Sequence, residues 1–149
     1  MPTVHISISR QELCLTGDNG ELLLCCPISS GAAGIGFEAG SGCTPTGRFS
    51  ICSKHGENAP LNTLFRARIP VGTWPCPGAP QDAILARILC LDGLDTANAN
   101  TRSRYIYIHG TSDTARLGSP VSHGCIRLAP QDIAALYPLV PLGAEVRIS

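Results

Sequence analysis

The stretch RYIYIHG, residues 104–110, sets Tyr105, Tyr107 and His109 on one side of an extended chain and Ile106 and Ile108 on the other. Alternation with a period of two, in branched and aromatic residues, marks a strand. His109 then stands at the strand's end, on the face opposite the isoleucines. The same period recurs in TVHISIS, residues 3–9, where Val4, Ile6 and Ile8 oppose His5, Ser7 and Ser9, so His5 is expected to be solvated. ELCL (12–15) and ELLLCCPIS (21–29) flank TGDNG, whose Asn19-Gly20 supplies the positive backbone dihedrals of a hairpin turn. RFSICSK (48–54), AILARILCL (83–91) and AEVRIS (144–149) bring the expectation to about seven strands. Only one helix is expected, with Pro130 in its first turn and Ile133, Leu136, Tyr137 and Val140 at helical spacing. With no strand–helix–strand alternation, the pattern argues for a mainly β domain, folded as a curved sheet or sandwich.

Two intervals lack periodicity. Residues 30–47, SGAAGIGFEAGSGCTPTG, read as a long loop of the kind that borders a site. Residues 55–82 are dense in proline and glycine and are expected to be irregular, with one short strand and His55 in a loop.

The 149 residues fit a single domain, 1–149, and a hydrophobic fraction of 44% against 15% charged residues excludes a disordered chain. Lys plus Arg equals Asp plus Glu at 11 each, and there is no basic run to neutralise a row of phosphates. Nucleic acid and anionic membrane surfaces are therefore excluded as expected partners. No segment approaches the roughly 20 apolar residues of a membrane span. The N-terminus alternates instead of forming a charged region followed by an apolar run, which points to the cytoplasm. If Met1 replaces a removed signal peptide, the periplasm is expected instead.

Eight cysteines lie at positions 14, 25, 26, 43, 52, 76, 90 and 125. Several sit in apolar strand-like runs, Cys25 and Cys26 in LLLCCPI and Cys90 in ILCL, where cysteine packs as a small hydrophobe. Core filling is expected for seven of the eight. No CxxC pair occurs and the four histidines are scattered, so no metal or other cofactor is expected.

Cys125 stands apart, in PVSHGCIRLAP (120–130). A thiolate forms near neutral pH only where a base or a positive environment lowers the thiol's pKa. His123 and Arg127 flank Cys125 at two residues on either side, and a helix begins at Pro130. The turn at Gly124 can present backbone N–H groups to a developing oxyanion. A base is also needed, and His109, on a rigid strand end, is easier to fix than a turn residue. On spacing alone, the pair competes with accidental Cys–His pairs.

The full string HGTSDTARLGSPVSHGCIRL, residues 109–128, resembles the signature of the L,D-transpeptidase catalytic-domain family, also called YkuD-like. There a histidine and a following glycine precede a Ser-His-Gly-Cys motif. Twelve residues separate His109 from Ser122, and TPTG at 44–47 is similar to the family's loop before the active site. The resemblance runs nearly end to end. It implies that Cys125 is the nucleophile, that His109 accepts and donates the proton, and that the Gly110 carbonyl orients the imidazole. Ser122 and His123 would shape the nucleophile loop, and the N–H groups of Gly124 and Cys125 would hold the oxyanion. Arg127 would contact a substrate carboxylate or anchor the loop, with an ordinary ion pair as the plain alternative.

The resemblance also implies the substrate. Members break the bond between the L-centre of the third residue and D-Ala at the fourth in peptidoglycan stem peptides. An amine attacking the thioester makes a transpeptidase; water makes an L,D-carboxypeptidase. With no signal-like N-terminus and no added module, the sequence favours water, acting on free tetrapeptides or muropeptide fragments in murein recycling. Two readings stay open beside it: a cross-linking transpeptidase, and a silent domain that only binds wall peptides.

Overall fold

The computed structural model describes residues 1–149, and its organising element is the strand at residues Ile84–Gly93. In chain order the strands are β1 (Thr3–Ser7), β2 (Glu12–Thr16), β3 (Leu22–Pro27), β4 (Gly47–His55), β5 (Thr63–Arg66), β6 (Ile69–Thr73), β7 (Ile84–Gly93), β8 (Tyr107–Thr111), β9 (Ile126–Leu128) and β10 (Glu145–Ile148). One α-helix, α1 (Pro130–Leu136), and two single 3-10 turns complete the regular structure. The fold is mainly β, as expected.

The sheet runs β3-β2-β1-β10-β4-β7-β5-β6, and β8 lies along the other side of β7 and carries β9. Ile84 and Leu85 of β7 pair with β5, and residues 88–93 pair with β4. Beyond β3 the chain turns back onto β9, where Ser29 and Arg127 exchange both backbone hydrogen bonds. The sheet thus curls until its far edges meet. A core of 25 buried residues, including Ile6, Phe49, Leu89, Ile108 and Val146, fills the inside of the curl. Pro130 takes the first turn of α1, and Ile133 and Leu136 are buried as that helix packs on β7 and β8.

The structure departs from the sequence reading in four places. Residues 55–82 hold two strands, the antiparallel hairpin β5–β6, and not one. With β9 this raises the count to ten. His55 closes β4 and contacts Ser53 Oγ at 3.0 Å, so it is a strand residue. Tyr105 precedes β8 with φ of 57° and is 61% exposed; only Tyr107 and His109 share the expected face. His5, expected in solvent, is half-buried, its Nε2 3.1 Å from Thr16 Oγ1.

The cysteines also divide differently. Cys26 and Cys90 are buried as expected, but Cys43, Cys52 and Cys76 are only partly buried. Cys25 lies on the exposed face of β3, directly opposite Cys14 on β2, and the two form a disulfide. The reason is pleat geometry: Leu13 and Leu15 take the inner face of β2, which turns Cys14 and its cross-strand partner outward.

Candidate active site

The strand β8 presents two faces to two apolar clusters. Ile106 and Ile108 enter the main core, while Tyr107 joins Phe65, Ile88 and Cys90 in a smaller cluster that also supports Cys125. Opposite the step from His109 to Gly110, β7 carries a bulge: Leu85 pairs with Gly110 and Ile88 with His109, two residues in between. Ala86 in that bulge has φ of 72°. Bulges bend a strand and re-aim side chains, and this one sits where His109 leaves the ladder.

His109 is 4% exposed. Its Nδ1–H donates to the Gly110 carbonyl at 2.7 Å, which leaves Nε2 with its lone pair free. Gly110 has to be glycine, because a Cβ there would lie 2.3 Å from the Leu85 carbonyl oxygen of β7. Close approach of β8 to β7 is what places this carbonyl.

The turn at residues 122–125 is held from two sides. Ser122 Oγ donates to the Cys125 carbonyl at 2.7 Å and accepts the Gly124 N–H at 3.1 Å. Thr44, first residue of TPTG and 1% exposed, accepts the Gly31 N–H at 2.8 Å and donates to the Gly124 carbonyl at 2.9 Å. Gly124 itself has φ of 126°, a conformation that side chains oppose. Of the two amides expected at an oxyanion, that of Gly124 is therefore engaged by Ser122. The Cys125 N–H donates to no protein atom.

Although Cys125 is partly exposed as a residue, its sulfur is turned inward. It donates to the Tyr105 carbonyl at 3.4 Å and accepts the Tyr107 N–H at 3.3 Å. The left-handed backbone at Tyr105 is what turns that carbonyl toward the thiol. Burial pushes the Cys125 thiol up to about 11, partly offset by the Tyr107 N–H. Burial likewise lowers the pKa of His109, against the opposing effects of the Gly110 carbonyl and of Asp82. Both shifts favour the neutral thiol and the neutral imidazole. The expectation that Arg127 and the helix start would draw the thiol down is not met. Arg127 is 1% exposed and turned to Asp82, with Nη1 2.7 Å from Oδ1, and to Asp113, with Nη2 3.1 Å from Oδ2.

One cavity of about 180 Å³ collects these groups: Asp82, Ile84, His109, Ser122, His123, Cys125 and Arg127 line it. The structure therefore brings His109, Ser122, His123, Cys125 and Arg127 together, with Gly110 and Gly124 directly behind them. His123 is almost wholly exposed, at 94% of its side chain. Asp82 and Thr44 are the residues that sequence reasoning missed. Asp82 sits in an interval without periodicity; Thr44 was part of a noted motif, yet its side-chain role depends on a fold contact 80 residues away.

The family model described as YkuD, L,D-transpeptidase catalytic domain, matches residues 2–148. The chain belongs to this family. Among curated proteins, the YkuD-family relative YqjB of Bacillus subtilis (strain 168), named as an L,D-transpeptidase, is 30% identical over 106 residues, covering 71% of this chain and 52% of YqjB. YbiS of Escherichia coli (strain K12), named likewise, is 46% identical over 44 residues, 30% of this chain and 14% of YbiS. The match thus spans about half of YqjB and less of YbiS. Among solved structures, L,D-transpeptidase 3 from Mycobacterium tuberculosis matches with a TM-score of 0.66 at 20% identity, over 99% of this chain and 60% of that one. LdtMt1 in complex with imipenem matches with a TM-score of 0.62 at 23% identity, over 99% and 58%. These two likenesses speak to the YkuD fold. No helix is long and apolar enough to cross a membrane.

Proposed function

We propose that this YkuD domain is a cysteine acyl-transferase acting on peptidoglycan stem peptides, with Cys125 as nucleophile and His109 as the group that moves the proton. The observation that carries the reading is the His109 imidazole: fixed through Nδ1 by the Gly110 carbonyl, it opens into the same cavity as Cys125. Nε2 takes the S–H proton as sulfur adds to the carbonyl carbon before the terminal D-Ala. The oxyanion is held by the Cys125 N–H, the amide of this turn with no protein acceptor. His109 then returns the proton to the departing D-Ala amine, leaving a thioester on Cys125.

Water is the acceptor in our first reading, which makes the domain an L,D-carboxypeptidase that trims tetrapeptides or muropeptide fragments in murein recycling. A cavity of about 180 Å³ supports it: the space suits the D-Ala end of one peptide, and what it admits after D-Ala leaves is small. His109 again serves as base, now for water, and the tripeptide departs with a new carboxyl group. The second reading, an amine acceptor and a cross-link, is favoured by the Cys14–Cys25 disulfide. Such bonds persist in oxidising compartments, where wall-bound amines are at hand.

Incubation with a D-Ala-terminated tetrapeptide in ¹⁸O-water tests both. The first reading expects released D-Ala and label in the tripeptide carboxyl, with neither from Cys125→Ala. Predominance of cross-linked dimer when stem-peptide amine is in excess establishes the second. Absence of any acyl-enzyme on Cys125 by intact mass overturns both, and with them the case against a silent binding domain.

A further inference from the structure

Asp82 lies two residues ahead of β7, in an interval that carries no motif, yet its carboxylate touches every segment that bears the chemistry. Oδ1 accepts from Thr111 Oγ1 at 3.1 Å, two residues beyond His109 at the end of β8. The same oxygen is 2.7 Å from Arg127 Nη1, two residues beyond Cys125 on β9. Oδ2 faces His123 Nδ1 at 3.9 Å, two residues before Cys125. Asp82 is itself held in place: the Ala83 N–H donates to Ser112 Oγ at 3.1 Å, and Ser112 Oγ donates to the Gln81 carbonyl at 2.9 Å. Asp113 grips Arg127 from the other side, with Arg116 as its second partner.

We infer that Asp82 is a positioning residue, which fixes the strand end carrying His109 against the turn carrying Cys125. This rests on the proposal that His109 and Cys125 act as a pair. The geometry argues for positioning over a role at the substrate. Oδ1 is committed to two protein partners, one on each catalytic segment, and Arg127 brings to β9 a charge that two carboxylates already balance. Its guanidinium, for the same reason, serves as an anchor: Nε and Nη1 make no aligned hydrogen bond, and the ion contact with Asp82 is what holds Nη1. A shift of the imidazole by a fraction of a bond length suffices to cut the rate, since proton transfer demands hydrogen-bond reach.

The primary readout needs no substrate. The second-order rate of Cys125 alkylation by iodoacetamide is measured from pH 6 to 10 in the wild-type chain, Asp82→Asn, His109→Gln and the double variant. Asp95→Asn, which loses an Arg48 ion pair far from the cavity, serves as control. Asp82→Asn should slow alkylation at pH 7 roughly tenfold and give the pH profile of His109→Gln, and adding His109→Gln to it should change little further. Thr111→Val, which removes the Asp82 bond to β8 together with the acceptor of the Asp113 N–H, should move the profile the same way by about threefold, and an unchanged profile there overturns the inference if Asp82→Asn does not fold. Alkylation by Asp82→Asn that matches the wild type overturns the inference, as does full additivity with His109→Gln. So does a rise in KM for peptide with the alkylation profile intact, which would place Asp82 at the substrate. If His109→Gln alone leaves Cys125 alkylation unchanged, the underlying Cys–His pairing has failed instead, and that outcome is separately visible.

Discussion

Replacing Thr44 by valine keeps the side chain's shape and removes one hydroxyl, and that hydroxyl is the link between loop 30–47 and the turn that carries Cys125. In the wild type it accepts the Gly31 N–H and donates to the Gly124 carbonyl. Gly31, Gly124 and Thr44 are all buried. Valine therefore strands one donor and one acceptor where water does not reach, at roughly 1 to 3 kcal/mol each, for an expected loss of about 2 to 6 kcal/mol. Thr44→Ser keeps both bonds and gives up only a methyl group, about 1 kcal/mol. Urea unfolding reads the difference as a lower midpoint at unchanged m. Because Gly124 adjoins Cys125, the proposed nucleophile, the folded fraction of Thr44→Val should also acylate Cys125 more slowly, as read by intact mass. A valine variant within 0.5 kcal/mol of the serine variant, by the scale on which neutral surface changes fall, with equal acylation, would refute the linkage.

His109→Ala should lower acylation by about 10² to 10⁴ while His55→Ala stays within about twofold, since only His109 opens into the cavity at Cys125. The two should also differ in pH profile. With His109 lowered and Cys125 pushed up to about 11, wild-type acylation is flat between them and declines only at a pH below the ordinary histidine range; His109→Ala climbs about tenfold per pH unit toward 11. Gly110→Ala drives a Cβ into the Leu85 carbonyl and should cost about 1 to 3 kcal/mol or more in urea unfolding, with turnover lost as the imidazole shifts. Cys26 is pushed up to about 12 by burial, from 9.0 in an exposed chain. Its contribution to stability is therefore full below about pH 9 and is lost as pH rises toward 12, because the unfolded thiol ionises first. A Cys26→Val chain should show a flatter fall in melting temperature over that range.

Strands were legible wherever one face is buried and the other is not, as in residues 3–7 and 12–16, because alternation is then written into the residues themselves. Strand β6 is exposed along its whole length and so shows no alternation to read. Cys14 and Cys25 could not be paired from composition, since what sets them opposite is hairpin register. That the turn at 122–125 and His109 share one cavity was legible through a local motif and a strand end. Asp82 was not, because its partners Thr111, His123 and Arg127 come from segments 29 to 45 residues away in the chain. The thiol's high pKa was missed for a related reason. Arg127 is adjacent in sequence, but its charge is spent on Asp82 and Asp113, and desolvation of the sulfur is a property of the finished cavity.

The place of β10 between β1 and β4 bears on how the molecule is made. During synthesis β1, β2 and β3 emerge first and can pair as a meander, and β4 to β9 emerge later with the cysteine turn among them. Apart from isolated bridges such as Ser29–Arg127, these two groups of strands share no ladder until residues 145–148 are made and slot between β1 and β4, parallel to β1 and antiparallel to β4. Domains fold as units during translation, and unpaired edges are sticky until covered. A nascent chain stalled before residue 145 therefore leaves one edge of β1 and one edge of β4 unpaired, open to another chain.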